Sequence, residues 1–258
     1  MFWSELADSG RMNPTASIVI PAYNEGENIR PLLDSIRRVV SVDHEVLVVY
    51  DDPDDTTAPV ARSYSSADPR VKPTLNTYGR GPAPALRYGM DHASATVTVV
   101  MMADGSDNPA QVDEMVQLVL AGNAVVAASR YMKGGRQLGG PLMKRLLSRL
   151  AGLSLYYFGR VGTHDATNSF KAYLTDFVRT VGIESERGFE MGIELIAKAR
   201  RAGLSVAEVP TVWRDRTEGE SRFRVLEWIP HYIRWYLYAF GGRLTPEQIG
   251  GRKGKFSD

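Results

Sequence analysis

Residues 97–109 read VTVVMMADGSDNP, and the reading of this stretch decides the fold. A β-branched apolar run stops at two carboxylates, Asp104 and Asp107, with Gly105 and Ser106 between them and Asn108-Pro109 closing the turn. Such a run reads as a buried strand that delivers acids to its C-terminal tip. In open α/β sheets that edge is where ligands bind. Oxygen ligands on a short loop, here Asp104, Ser106 and Asp107, suit Mg²⁺ or Mn²⁺ held partly by a phosphorylated substrate. Asp107 has a second reading, as the cap of a helix opening at Pro109. Nothing in the turn chemistry asks for an acid at position 104.

Working outward, apolar strands are expected at 16–21, 45–50, 72–76 and 124–129, and helices at 25–40, 109–121 and 188–202. In the first of those helices Ile29, Leu32, Leu33, Ile36 and Val40 recur at helical spacing. Alternating strands and helices predict a mostly parallel, Rossmann-like sheet with helices on both faces. In the loop after the first strand, Asn24 is placed to cap a helix and Glu27 sits at the capping-box position, which leaves Tyr23 and Glu25 to face a ligand. Neither GxGxxG nor GxxxxGK[ST] occurs, which argues against a dinucleotide site or a P-loop. Glu190, on the 188–202 helix, is expected to be exposed.

The 258 residues carry 31 basic and 30 acidic side chains, so net charge points to no nucleic-acid partner. Their distribution is more telling. No carboxylate occurs between Glu114 and Asp165, whereas Arg130, Lys133, Arg136, Lys144, Arg145, Arg149 and Arg160 all fall there. Segregated charge of this kind suits a metal on one side and an anion on the other. The chain has no cysteine, which excludes disulfides and thiolate metal sites. Residues 1–14 read as a leader without signal-peptide character, and no run reaches the roughly 18 apolar residues of a membrane span.

Residues 141–159, PLMKRLLSRLAGLSLYYFG, place Leu142, Met143, Leu146, Leu147, Leu150, Leu153 and Tyr157 on one helical side and Lys144, Arg145, Ser148, Arg149 and Gly152 on the other. A basic amphipathic helix lies in a membrane interface or packs its stripe on the core. A second candidate spans 224–240, where Trp228, Tyr232, Trp235, Tyr236 and Tyr238 suit a bilayer boundary. A flexible tail is expected over 241–258.

Taken together, PAYNEGENI (21–29), DDPDDTT (51–57) and MADGSD (102–107) resemble the inverting glycosyltransferases of family 2, which have the GT-A fold. SRYMKGG (129–135), DATNSFKAY (165–173) and EVPTVWRDRTEGESRF (208–223) narrow the resemblance to polyprenyl-phosphate sugar synthases, over residues 15–240. The pattern departs at two points. Tyr50 stands where the family has the first of two acids after strand two, and Met102 replaces the first acid of Asp-x-Asp, leaving Met102-Ala103-Asp104. The resemblance implies a hexosyltransferase that moves mannose, or next glucose, from a nucleotide sugar to polyprenyl phosphate with inversion. It implies Pro21, Tyr23, Glu25, Asp51, Ala103, Asp104, Arg216 and Arg222 around the donor nucleotide, a metal at Asp104, and Arg130 and Arg145 on the acceptor phosphate. It also implies a peripheral position on the cytoplasmic face of a membrane. Two other readings remain open from sequence, a glycan acceptor and a non-catalytic nucleotide- or membrane-binding module.

Overall fold

The computed structural model describes residues 13–215 and 225–250. At its centre is a seven-stranded sheet in the order β3-β2-β1-β4-β7-β5-β8. The strands are β1 (Ala16–Pro21), β2 (His44–Tyr50), β3 (Val71–Leu75), β4 (Val97–Val100), β5 (Val125–Ser129), β7 (Lys171–Leu174) and β8 (Val206–Pro210). All pairings are parallel except those of β7, which runs antiparallel between β4 and β5. β1 and β2 are buried along their whole length, the condition under which parallel strands read as unbroken apolar runs.

Successive side chains leave a strand on opposite faces, so Ile18 and Ile20 join one core and Val19 the other. The first core is closed by α1 (Arg30–Val39), α2 (Thr57–Ala67) and α4 (Val112–Leu120), through Leu32, Ile36, Val60, Met115 and Val116. The second is closed by α3 (Pro82–His92), α6 (Thr175–Val181), α7 (Met191–Ala202), α8 (Val225–Tyr238) and α9 (Pro246–Gly250). α3 approaches the sheet so closely that a Cβ on Gly89 would lie 2.4 Å from the Val19 side chain. β6 (Arg136–Leu138) pairs with β9 (Val212–Arg214) in a small parallel sheet of its own.

Two expectations fail at the C-terminal side. Of the tail expected over 241–258, residues 251–258 lie outside the described residues, and 241–250 are held: Arg201 Nε donates to the Gly242 carbonyl at 2.8 Å, and Ile249 on α9 is buried in the second core. Glu190 is 1 % exposed, because α7 is covered on all sides by the sheet, α8 and α9. The polar side chains of α7 are satisfied internally, as in the fully buried Lys198–Glu194 pair at 2.6 Å. A periodicity reading assumes one wet face, and this helix has none.

α5 (Leu142–Ser154) continues as a π-helical turn, Leu155–Gly159. Its apolar stripe does not pack on the core. Leu142, Met143, Leu146, Leu147, Leu150, Tyr157 and Phe158 face outward, Leu142 at 70 % exposure and Phe158 at 77 %. The side against the body is small or polar. A Cβ on Gly152 would lie 2.2 Å from the His164 carbonyl oxygen, so only glycine allows this approach. On α8 the aromatic reading needs correction. Trp235 is buried, with Lys198 Nζ 5.4 Å from its ring, and Tyr232, Tyr236 and Tyr238 pack against the same core. Ile233, Leu237 and, just beyond the helix, Phe240 face outward instead. The Tyr236 hydroxyl donates to Ser154 Oγ at 2.9 Å, which joins α8 to α5.

Candidate active site

β4 ends at Val100 and the acid turn follows at the carboxyl edge of the sheet, as the sequence suggested. Asp104 Oδ1 accepts from the Ser106 N–H at 3.1 Å, an Asx-type turn, with Gly105 at φ +69°. Asp107 is not the helix cap. Asn108 is, its side chain accepting from the Ala110 N–H at 3.1 Å, while Asp107 Oδ2 folds back onto the Met102 N–H at 3.0 Å. Burial, with repulsion from Asp104, pushes the Asp107 carboxyl up to about 7, against the pull of the Met102 N–H, Arg130 and Lys171. Ser106 is buried beside it. Among the described residues no cluster of three His, Cys, Asp or Glu side chains exists to hold a metal unaided. Two carboxylates, a hydroxyl and open edge positions nevertheless fit Mg²⁺ or Mn²⁺ completed by water and a diphosphate.

Beside the acid turn, the loops after β1 and β2 brace each other. Both Asp55 oxygens accept from the Asn24 N–H, at 3.1 and 3.0 Å, and Thr57 Oγ1 accepts from the Glu25 N–H at 3.0 Å. Asn24 takes φ +53° and does not cap the turn Gly26–Ile29, whose N-cap position is held by Glu25 without a side-chain cap bond. Glu27 pairs with Arg30 instead of closing a capping box. Pro21 ends β1, Tyr23 is exposed and Glu25 half-buried at the same edge. Asp51 accepts from Asn76 Nδ2 at 2.7 Å and from the Gly81 N–H at 2.6 Å, so it shapes the loop leading into α3.

On the other side of Asp107 lies the basic half. Arg130 follows β5, and its side chain is 10 % exposed. Its Nε and Nη2 donate to Asp165 at 2.7 and 2.9 Å, and Nη2 also reaches Ser148 Oγ at 3.1 Å. Burial alone would raise the Asp165 carboxyl, but the charge and hydrogen bonds of Arg130 outweigh it and hold it below the usual range. The resemblance implied Arg130 as a phosphate ligand; the structure pairs it with Asp165. Arg145 is half-buried on α5, three residues before Ser148 and on its face, while Arg149 is exposed. Lys171, fully buried at the start of β7, donates to the Ala166 carbonyl at 3.2 Å and to that of Asn168, and burial lowers it to about 7. Glu190 accepts from the Arg187 N–H at 2.8 Å, and its Oε2 is buried without a partner among the described residues.

Asp107 feels the charges of Asp104, Arg130 and Lys171, so acid turn and basic half lie close enough to act on one another. Sequence did not single out Lys171, and for Glu190 it weighed reach to the sugar against exposure on a helix, which the burial of Glu190 overturns. The one signal for Lys171 is a cation inside the short strand FKAYL. Arg216 and Arg222 lie outside the described residues. The chain approaches that stretch at Arg214, whose N–H donates to the Ser106 carbonyl at 3.2 Å.

A mostly parallel sheet with an acid-tipped central strand and braced loops at its carboxyl edge is the GT-A architecture of glycosyltransferases. The chain belongs to that class: residues 17–182 match the description Glycosyl transferase family 2, and it is a member of that family. It is similar to polyprenol monophosphomannose synthase of Mycolicibacterium smegmatis, with 30 % identity over 86 % of this chain and 90 % of that protein. It is also similar to undecaprenyl-phosphate mannosyltransferase of Micrococcus luteus, with 28 % identity over 86 % and 93 %. Dolichol-phosphate mannosyltransferase of Pyrococcus furiosus is 30 % identical over 84 % of this chain, which spans 62 % of that longer protein. Among solved structures, glucosyl-3-phosphoglycerate synthase from Mycobacterium tuberculosis, in complex with Mn²⁺ and UDP, superimposes with a TM-score of 0.61 at 21 % identity. That match covers 90 % of this chain and 81 % of the other, and it shows the shared fold.

Proposed function

We propose that this glycosyltransferase moves mannose from GDP-mannose to a polyprenyl phosphate, with inversion, at the cytoplasmic surface of a membrane. The observation that carries the reading is the orientation of α5. Its leucines face outward while Ser148, with Arg145 on the same face, turns in toward the pocket that holds Asp107. A lipid phosphate is already an anion at neutral pH, so it needs cationic positioning and no general base. Arg145 supplies that charge, and Arg130, held by Asp165, fixes the frame against which α5 sits.

On the donor side, Asp104, Ser106 and Asp107 would hold a divalent ion, which stabilises negative charge growing on the departing diphosphate. By the family resemblance, Arg216 and Arg222 are assigned to the same diphosphate. Pro21, Tyr23, Glu25 and Ala103 line the nucleotide, and Asp51 supports that wall. The similarity to three polyprenyl-phosphate mannosyltransferases favours mannose over glucose. Asp104→Ala tests the reading: transfer should fall on the order of 10³-fold, as for loss of a main electrostatic stabiliser, while vesicle binding stays intact. Unchanged transfer would remove the metal from the mechanism.

A further inference from the structure

Far from the acid turn, a cleft of about 360 Å³ opens between Arg160, Arg200 and Arg243, and no carboxylate among the described residues lines it. Gly162 and Gly203 leave its floor without side chains; a Cβ on Gly203 would lie 3.3 Å from the Arg243 guanidinium carbon. The cleft sits at the amino-terminal edge of the sheet. Val206, in its wall, opens β8 and pairs with Val125, the first residue of β5, whereas Arg130 follows the last. At about 3.3 Å per residue, β5 puts roughly 15 Å between this cleft and the candidate active site.

A helix C-terminus attracts cations, and that accounts for Arg200 and Arg201, which end α7 and donate to the carbonyls of Gly241 and Gly242. Arg160, at φ +52°, likewise caps the π-helical turn that ends the α5 segment. Helix ends alone do not account for three guanidiniums around one concavity with no acid among the described residues pairing with them. Like charges so placed repel, and an anion between them removes the repulsion.

Position identifies the anion. Arg160 lies two residues after Phe158, the most exposed of the outward side chains of the α5 segment, and Arg243 three residues after outward-facing Phe240. α5 is roughly 20 Å long at 1.5 Å per residue, and its apolar face runs from the candidate active site, which Ser148 meets at mid-helix, toward this cleft just past its C-terminal end. We infer that the cleft binds the phosphate of an anionic membrane lipid headgroup, a second attachment point that fixes the rotation of the enzyme on the bilayer. The inference rests on the membrane-surface reading of α5 proposed above.

Vesicle flotation tests it, comparing phosphatidylcholine vesicles with vesicles containing phosphatidylglycerol. Arg160→Asn keeps the left-handed backbone accessible. The double variant Arg160→Asn/Arg243→Gln should lose roughly 25-fold in partitioning onto the anionic vesicles, about fivefold per arginine, and nothing on the neutral ones. Arg37→Gln/Arg38→Gln, the same change in net charge on exposed positions of α1, should keep the anionic preference. A cleft variant that keeps that preference, or an α1 variant that loses as much, would overturn the inference. Calorimetry with inorganic phosphate separates the sources: saturable binding abolished by the cleft variant would assign the site to a soluble anion and overturn the lipid. Wild-type protein that floats with no vesicle at all would instead overturn the membrane reading underneath.

Discussion

Asp165→Asn probes the joint between the two halves of the pocket. The substitution is isosteric, but it replaces one carboxylate oxygen by an amide donor. Arg130 then loses one arm of its bidentate pair and keeps a buried, uncompensated charge, with only 10 % of its side chain exposed. Removing one partner of such a pair costs about 3–5 kcal/mol. For a chain of this size that is a fall in Tm on the order of 10 °C. Urea denaturation followed by circular dichroism measures it, and Arg130→Gln in the same background should cost less than the sum of the single changes. The acid limb gives an independent sign. Arg130 holds the Asp165 carboxyl below its unfolded value near 3.9, so the pair contributes fully above roughly pH 5 and loses that contribution as pH falls through the lower folded value. The variant should lack that part of the acid destabilisation. A variant within about 1 kcal/mol of wild type, with an unchanged acid limb, would refute the view that Asp165 anchors Arg130 by charge.

Other expectations follow from the same geometry. Gly152→Ala drives a Cβ to 2.2 Å from the His164 carbonyl, so it should cost about 1–3 kcal/mol in urea and raise KM for polyprenyl phosphate more than for the nucleotide sugar. Leu146→Ser/Leu150→Ser changes two outward residues, so stability should hold within about 1 kcal/mol while vesicle binding falls at least tenfold in flotation. Mn²⁺ should bind weakly to the free protein and more tightly with GDP present, as calorimetry reads directly. Because the Asp107 carboxyl is held near 7, a proton competes with the cation below that pH, and affinity should rise up to tenfold per pH unit until it flattens above 7.

Much of this was legible before any coordinates. The acid-tipped strand, the alternation of strands and helices and the existence of the α5 stripe follow from period and composition, since each depends on residues close in sequence; which way that stripe faces does not. The misreadings share a cause. Asp107 and Asn108 are both competent caps, and only the fold of the turn decides that Asp107 goes back to Met102. Asn24 looked like a cap, but its Oδ1 accepts from the Thr56 N–H, 32 residues away. Glu190 and Trp235 looked like surface residues because nothing local reports that α7 is enclosed. Arg130 looked free for a ligand because its partner Asp165 is 35 residues on. Long-range pairing is invisible to a pattern, and here it decides which charges are scaffold and which remain for substrate.

The most direct measurement incubates the purified enzyme with polyprenyl phosphate and, in turn, labelled GDP-mannose, UDP-glucose and other nucleotide sugars, with and without Mn²⁺, and counts label extracted into organic solvent. The expected result is mannose in the organic phase, dependent on the divalent ion and lost in Arg145→Gln without loss of GDP binding. Label that stays aqueous with every donor, or lipid-linked mannose formed equally well by Arg145→Gln, would contradict an acceptor phosphate held by the inward face of α5.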